Sequence, residues 1–179
     1  MPPAGLAPAL APILGRPAPR ITLVRAGGLG DTILLLPALQ WLRRQVPAAR
    51  LTLVGSDWAE ALRPLLPFPL AVARFDAPGL ARLFADGEVG PLPALFAAAD
   101  ATVIYTADPG SPFVRRLARG SAGPVVVWPA APPAGGHAAA HFLAPLAAGG
   151  PPMEESGPAG LRPPEDLRAW GRRWLEDRL

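Results

Sequence analysis

At 179 residues the chain is long enough for one domain with a sizeable core, and with 50% apolar residues it is not disordered as a whole. It has no cysteine, which excludes disulfides, thiolate metal sites and cysteine nucleophiles. There is no lysine either, so all 17 basic residues are arginine, and the isoelectric point of about 10.8 reflects arginine chemistry more than the formal charge of +3.

Residues 1–19 are rich in proline and alanine without periodicity and predict a flexible lead-in. They lack the basic start of a signal peptide, and their prolines would break its apolar helix. The run Ile21-Thr22-Leu23-Val24 predicts a first, buried strand over 20–25, closed by the tight sequence Gly27-Gly28-Leu29-Gly30. Asp31 follows at the expected N-cap of a long apolar helix. That helix is expected to be buried near its start and wetter at Gln40, Arg43 and Arg44, with a kink at Pro37.

A second strand is predicted over 50–55, and a helix over 57–65 that Asp57 could cap and Pro67 would end. Leu70 to Ala73 predicts a short third strand, followed by helical stretches at about 78–86 and 91–99. Ala101-Thr102-Val103-Ile104-Tyr105 is the fourth strand, bounded by Asp100 and by Asp108-Pro109-Gly110. A helix over 111–119, a fifth strand from Val125 to Trp128 and a helix over 137–148 complete the alternation. Strands separated by helix-length segments imply an α/β fold: an open parallel sheet with right-handed crossovers and helices on both faces.

Residues 149–163 have the composition of a linker, and 164–179 predict a terminal amphipathic helix. Leu167, Trp170, Trp174 and Leu175 fall on one face of it. Either this domain's own sheet or an absent second domain should cover that stripe.

Several constellations carry no chemistry. His137 and His141 stand four apart, but no acid lies within the spacing and no third ligand is in view, so no metal is expected. Aromatic residues do not alternate with the arginines, so no nucleic-acid face is expected. Residues 120–153 hold no charged side chain, yet their glycines, prolines and alanines do not make a membrane span. Residues 1–50 carry six arginines against the single acid Asp31, which suits either an anionic partner, such as a phosphorylated or lipid-linked substrate or a membrane surface, or a plain solvated basic face.

The glycine loop is neither a dinucleotide fingerprint, since Ile33 stands where the third glycine belongs, nor a phosphate-binding P-loop, since no Gly-Lys-Ser/Thr follows. Gly27, Gly28 and Gly30 could make room for a ligand or expose N–H groups to an anion; alternatively they serve a turn that needs positive φ. Asp31 could be a rigid carboxylate at a cleft or a plain helix cap. Arg25 could meet a phosphate or pair with Asp31.

In order, Arg25, Gly30, Asp31, Pro37, Ala38, Leu39, Leu42, Arg43, Pro47 and Ala49, followed by the strand Arg50–Gly55, resemble the opening of the family 9 glycosyltransferases, the lipopolysaccharide heptosyltransferase-like enzymes. The resemblance runs more loosely to about residue 148. It implies the Rossmann-like, N-terminal, acceptor-side half (20–148) of a two-domain GT-B enzyme that transfers a sugar, with inversion, from a nucleotide-diphosphate donor of the ADP-heptose kind to a lipopolysaccharide-like or other glycan acceptor. Asp31 would be the general base, and Arg25, Gly27, Gly28 and Gly30 would bind acceptor. No metal or other cofactor is implied, and the expected place is the cytoplasm, with peripheral association at the inner membrane. The donor-binding domain and its Pro-Gly-Ser phosphate loop are not seen in these residues, so this chain alone is expected to be inactive. The alternative from another class is a non-catalytic Rossmann-like binding or interaction domain derived from such an enzyme.

Overall fold

The computed structural model describes residues 10, 12–13, 15–85, 90–147 and 160–178. Five strands form one parallel sheet: β1 (Arg20–Val24), β2 (Arg50–Gly55), β3 (Ala71–Arg74), β4 (Ala101–Thr106) and β5 (Val125–Pro129), in the order β3-β2-β1-β4-β5. The order reverses between β1 and β4, as in doubly wound folds. β-branched residues recur along β1, β4 and β5, which suits strands covered on both faces.

Alternation sends the side chains into two cores. Ile21, Leu23, Leu53, Val103, Tyr105 and Trp128 face one layer, filled by α1 (Leu29–Gln45), α2 (Asp57–Leu62) and α6 (Ala138–Leu143). Val24, Val54 and Ile104 face the other, filled by α3 (Pro78–Ala81), α4 (Ala94–Ala97) and α5 (Pro112–Gly120). Open, two-sided and parallel, this is the predicted fold class.

The boundaries differ where local geometry overrides pattern. The helix expected at 57–65 tightens into a 3₁₀ turn at Arg63–Leu65, and that expected at 78–86 does so at Arg82–Phe84; residue 86 lies outside the described residues. The stretch 91–99 is helical only over Ala94–Ala97, because Pro91 and Pro93 delay its start. The helix expected at 137–148 spans Ala138–Leu143 and unwinds into turns; residue 148 lies outside the described residues.

α1 runs unbroken through the buried Pro37; it is wetter at Gln40, Arg43 and Arg44, as expected, but its start is exposed rather than buried. Leu29 and Ile33 are exposed at its start, while Leu35 to Leu39 and Trp41 to Leu42 are buried. Its first turn rises past the carboxyl ends of the strands, where there is no sheet to cover it.

The flexible lead-in needs correction too. Residues 1–9, 11 and 14 lie outside the described residues, but Leu10 and Ile13, one helical turn apart, are buried in the α1-side core. Arg16 then pairs with Asp100, whose other oxygen accepts the Arg20 backbone N–H at 2.8 Å. That N–H above all, with the Arg16 guanidinium, holds the Asp100 carboxyl below its ordinary range against an opposing effect of burial. A depressed carboxyl contributes stability that is present above its unfolded value and is lost as pH falls through its folded value. Asp100→Asn should therefore lower stability at neutral pH and flatten the acid limb of unfolding below about pH 4. An acid limb identical to wild type would contradict this.

Residues 149–159 of the expected linker lie outside the described residues; at 160–163 the Arg162 N–H donates to the Leu65 carbonyl at 2.7 Å. α7 (Glu165–Glu176) buries none of its side chains. Trp170 and Trp174 are 58% and 43% exposed, so this domain's sheet does not cover them. Glu165 holds Arg168 and Arg172, and Arg178 stacks 4.3 Å from the Trp174 ring. α7 amides should exchange faster than those of β1 and β4, and acrylamide should quench Trp170 and Trp174 but not the buried Trp41 and Trp128. Protection of α7 equal to that of β4 would place it in the core instead.

Candidate active site

β1 ends at the centre of the sheet, and its backbone still bonds to β2 at Arg25, whose N–H reaches the Val54 carbonyl at 2.9 Å. The chain then turns through Ala26-Gly27-Gly28 into α1. The N-cap is Gly28 and not Asp31 as predicted; Asp31 stands in the third helical position, one turn inside the helix. From there the Asp31 Oδ2 reaches back to accept the Gly28 N–H at 3.0 Å, which satisfies an orphan donor of the first turn. Thr32 closes the turn, its hydroxyl donating to the Gly28 carbonyl at 3.1 Å. At the second strand, too, the cap is Ser56 rather than Asp57, and the Ser56 hydroxyl donates to the Gly27 carbonyl at 2.8 Å.

The other Asp31 oxygen, Oδ1, accepts from the Arg25 guanidinium at 2.5 Å. Arg25 is itself fixed: it donates to the Ala26 carbonyl at 2.9 Å and stacks 5.5 Å from the Phe142 ring of α6. Phe142 in turn packs edge-on against Tyr105, whose hydroxyl donates to the Phe142 carbonyl at 2.5 Å. Burial pushes the Tyr105 phenol far above its ordinary value, so it remains a neutral donor. Of the two sequence alternatives for Arg25, the structure shows the pairing with Asp31. The Asp31 side chain is still 36% exposed. Each of its oxygens keeps a lone pair free, since a carboxylate offers about four acceptor sites.

Gly27 is required by close approach rather than by φ. A Cβ there would stand 2.5 Å from Asp31 Oδ2 and 2.7 Å from its Cβ. Gly28 and Gly30 have open space around them. Among the described residues, positive φ occurs only at Gly135, so the alternative that this loop needs positive φ is set aside.

Among the described residues, cavities line the carboxyl edge of the sheet. One of about 330 Å³ lies at the switch point, walled by Arg25, Tyr105, Asp108, Ser111 and the tilted and stacked rings of Phe75, Phe84 and Phe113. A second, of about 270 Å³, is lined by Gly27, Ser56, Asp57 and Asp76, and Arg74 bridges the two acids at 3.0 and 2.7 Å. A third, of about 420 Å³, lies between Thr106 and Trp128. Asp31 lines none of them, but Arg25 borders the first and Gly27 the second, so its carboxylate stands between the two.

Asp108 and Ser111 were missed in the sequence as site residues. Asp108-Pro109-Gly110 was visible only as a strand boundary; β4 lying next to β1 is what brings it to the switch point. The Asp108 carboxylate accepts the Gly110 N–H at 3.0 Å, and Ser111 caps α5. The two histidines have separate duties. His137 caps α6, and the His141 Nε2 lies 2.8 Å from the Pro129 carbonyl. Among the described residues, no three potential ligands gather to hold a metal ion.

No protein-family model matches the chain, and no curated protein does. Among solved structures, it is similar to a family 9 glycosyl transferase from Veillonella parvula DSM 2008, with a TM-score of 0.55 and 17% identity over 89% of this chain. It is also similar to the E. coli heptosyltransferase WaaC with ADP, with a TM-score of 0.46 and 14% identity over 72% of this chain. The chain spans about half the length of each, 49% and 46%. What the chain shares with the family 9 enzyme is its fold, a five-stranded parallel Rossmann-like sheet with helices on both faces, which makes up about half of that glycosyltransferase.

Proposed function

We propose that this chain is the acceptor-side, N-terminal half of an inverting, heptosyltransferase-like glycosyltransferase. On this proposal Asp31 takes the proton from an acceptor hydroxyl as that oxygen attacks the anomeric carbon of a nucleotide-diphosphate sugar. The bond from the anomeric carbon to the diphosphate oxygen breaks, the nucleoside diphosphate leaves from the opposite face, and the configuration inverts. Arg25 and the Gly28 N–H orient the carboxylate, and Gly27 leaves room for it. The donor, of the ADP-heptose kind, is held by a second domain that is not among these residues, and no metal or cofactor takes part. The acceptor is a glycan or lipid-linked sugar, and the work is done in the cytoplasm at the inner membrane surface. Among the described residues, no helix is long and apolar enough to cross a membrane.

One observation carries the proposal: a carboxylate fixed on both oxygens, yet more than a third exposed, beside the switch point where doubly wound sheets bind ligands. The family resemblance of residues 25–55 and the shared fold support it. A second reading also has an observation behind it. The Gly28 bond and the Arg25 pair account for Asp31 without any substrate, as they would in a non-catalytic binding domain.

Calorimetry on the chain separates the domain assignments. Nucleotide-diphosphate sugar should bind weakly or not at all, and no sugar should be transferred. A dissociation constant below about 1 µM, worth about 8 kcal/mol, would put the donor site in this domain and overturn the proposal.

A further inference from the structure

At the opposite, amino-terminal edge of the sheet lies a cavity of about 710 Å³, within the range of small-molecule sites. Its walls are apolar, with Phe68, Pro69 and Leu70 on one side, and its rim carries Arg43, Arg50 and Arg63. Arg63 is matched by Glu60 at 2.7 Å. Among the described residues, no carboxylate pairs with Arg43 or Arg50. The Arg43 guanidinium is held rigid, donating to the Pro47 and Pro69 carbonyls at 2.5 and 3.0 Å and lying 5.9 Å from the Phe68 ring. Its Nε is buried without a hydrogen-bond partner. Arg50 is exposed, and its neighbour across the ladder is Arg20, a further positive charge, whose own carboxylate neighbour is Asp100.

We infer that this cavity binds a phosphate ester carrying an apolar chain. Two uncompensated guanidinium groups at a rim select an anion, and guanidinium geometry suits phosphate in particular. The rings and aliphatic side chains below them offer no polar group to a free inorganic ion but would cover hydrocarbon. The strand Arg50–Gly55 separates this site from the Asp31 edge by about 17 Å, at ~3.3 Å per residue. It is therefore an anchoring site and not the place where a hydroxyl reacts, and it stands whether or not Asp31 is a base.

The test uses the whole chain, with dihexanoyl phosphatidic acid below its micelle concentration, inorganic phosphate, and vesicles of phosphatidylcholine with and without phosphatidylglycerol. Arg50→Glu is the site variant, changed at an exposed strand end. Arg119→Glu, exposed on α5 across the sheet, is its charge-matched control. Dihexanoyl phosphatidic acid should bind at least tenfold more tightly than inorganic phosphate. Arg50→Glu should weaken it about tenfold or more, and Arg119→Glu should leave it within twofold. Binding to the anionic vesicles that Arg50→Glu removes would identify a bilayer lipid as the source. Binding of the short-chain lipid alone would identify a free amphiphile. Equal affinity for lipid and inorganic phosphate, or equal losses in the two variants, would reduce the site to general electrostatics and overturn the inference.

Discussion

Asp31→Asn is expected to lower sugar transfer, measured with a donor-binding half supplied, by a factor on the order of 10²–10⁴, because an amide cannot take the acceptor proton. The fold should survive. Asparagine keeps an oxygen that can accept the Gly28 N–H, and what is lost is the ion pair with Arg25 across a partly exposed contact. Loss of a partly exposed ion pair costs about 1 kcal/mol or less, small against the ~5–15 kcal/mol of a typical domain. Acceptor affinity should change little while turnover collapses, the pattern of an interaction made in the transition state. Turnover within about threefold of wild type would leave Asp31 as a helix-end residue and favour the binding-domain reading.

Gly27→Ala should be nearly as damaging to transfer for a different reason. The new methyl would stand well inside contact distance of the Asp31 Oδ2, Cγ and Cβ, so the carboxylate and the first turn of α1 must both move. Overpacking of this kind costs roughly 1–3 kcal/mol, and a displacement of about 1 Å at a reacting group can cost on the order of 10² in rate. The two residues share one space, so their effects should not add. In an Asp31→Ala background, where two of the three clashing atoms are gone, the stability cost of Gly27→Ala should shrink markedly. An unchanged cost would mean that the glycine serves something other than room for Asp31.

The strands and their alternation with helices were legible because β-branched runs bounded by glycine, proline and aspartate leave few other structures open. Arg25, Gly27 and Asp31 come together for the same reason: they are local, within seven residues of one loop. The role of Gly27 was visible only in part. Its sequence is equally compatible with a left-handed turn, and only the packed Asp31 side chain shows that space is what it supplies. The approach of Asp108 and Ser111 was not legible, since it depends on β4 inserting beside β1 rather than beside β3. The burial of Leu10 and Ile13 was hidden by the prolines around them, which read as a lead-in although two side chains one turn apart suffice to close the α1 side of the core. The terminal helix was legible as an element, but the sequence left its covering open between this domain's sheet and a second domain. An apolar stripe does not dictate what covers it, and here the sheet does not.

The most direct test of the central claim is to titrate a phosphorylated acceptor glycan into the isotope-labelled chain and follow its backbone amides. Binding at the switch point should shift Arg25 to Asp31 together with Ala107 to Ser111, and Gly27→Ala should abolish both sets of shifts while those at Arg43 and Arg50 are unaffected. Saturable acceptor binding that leaves the Gly28 and Asp31 amides in place would contradict the assignment of this edge as the acceptor site.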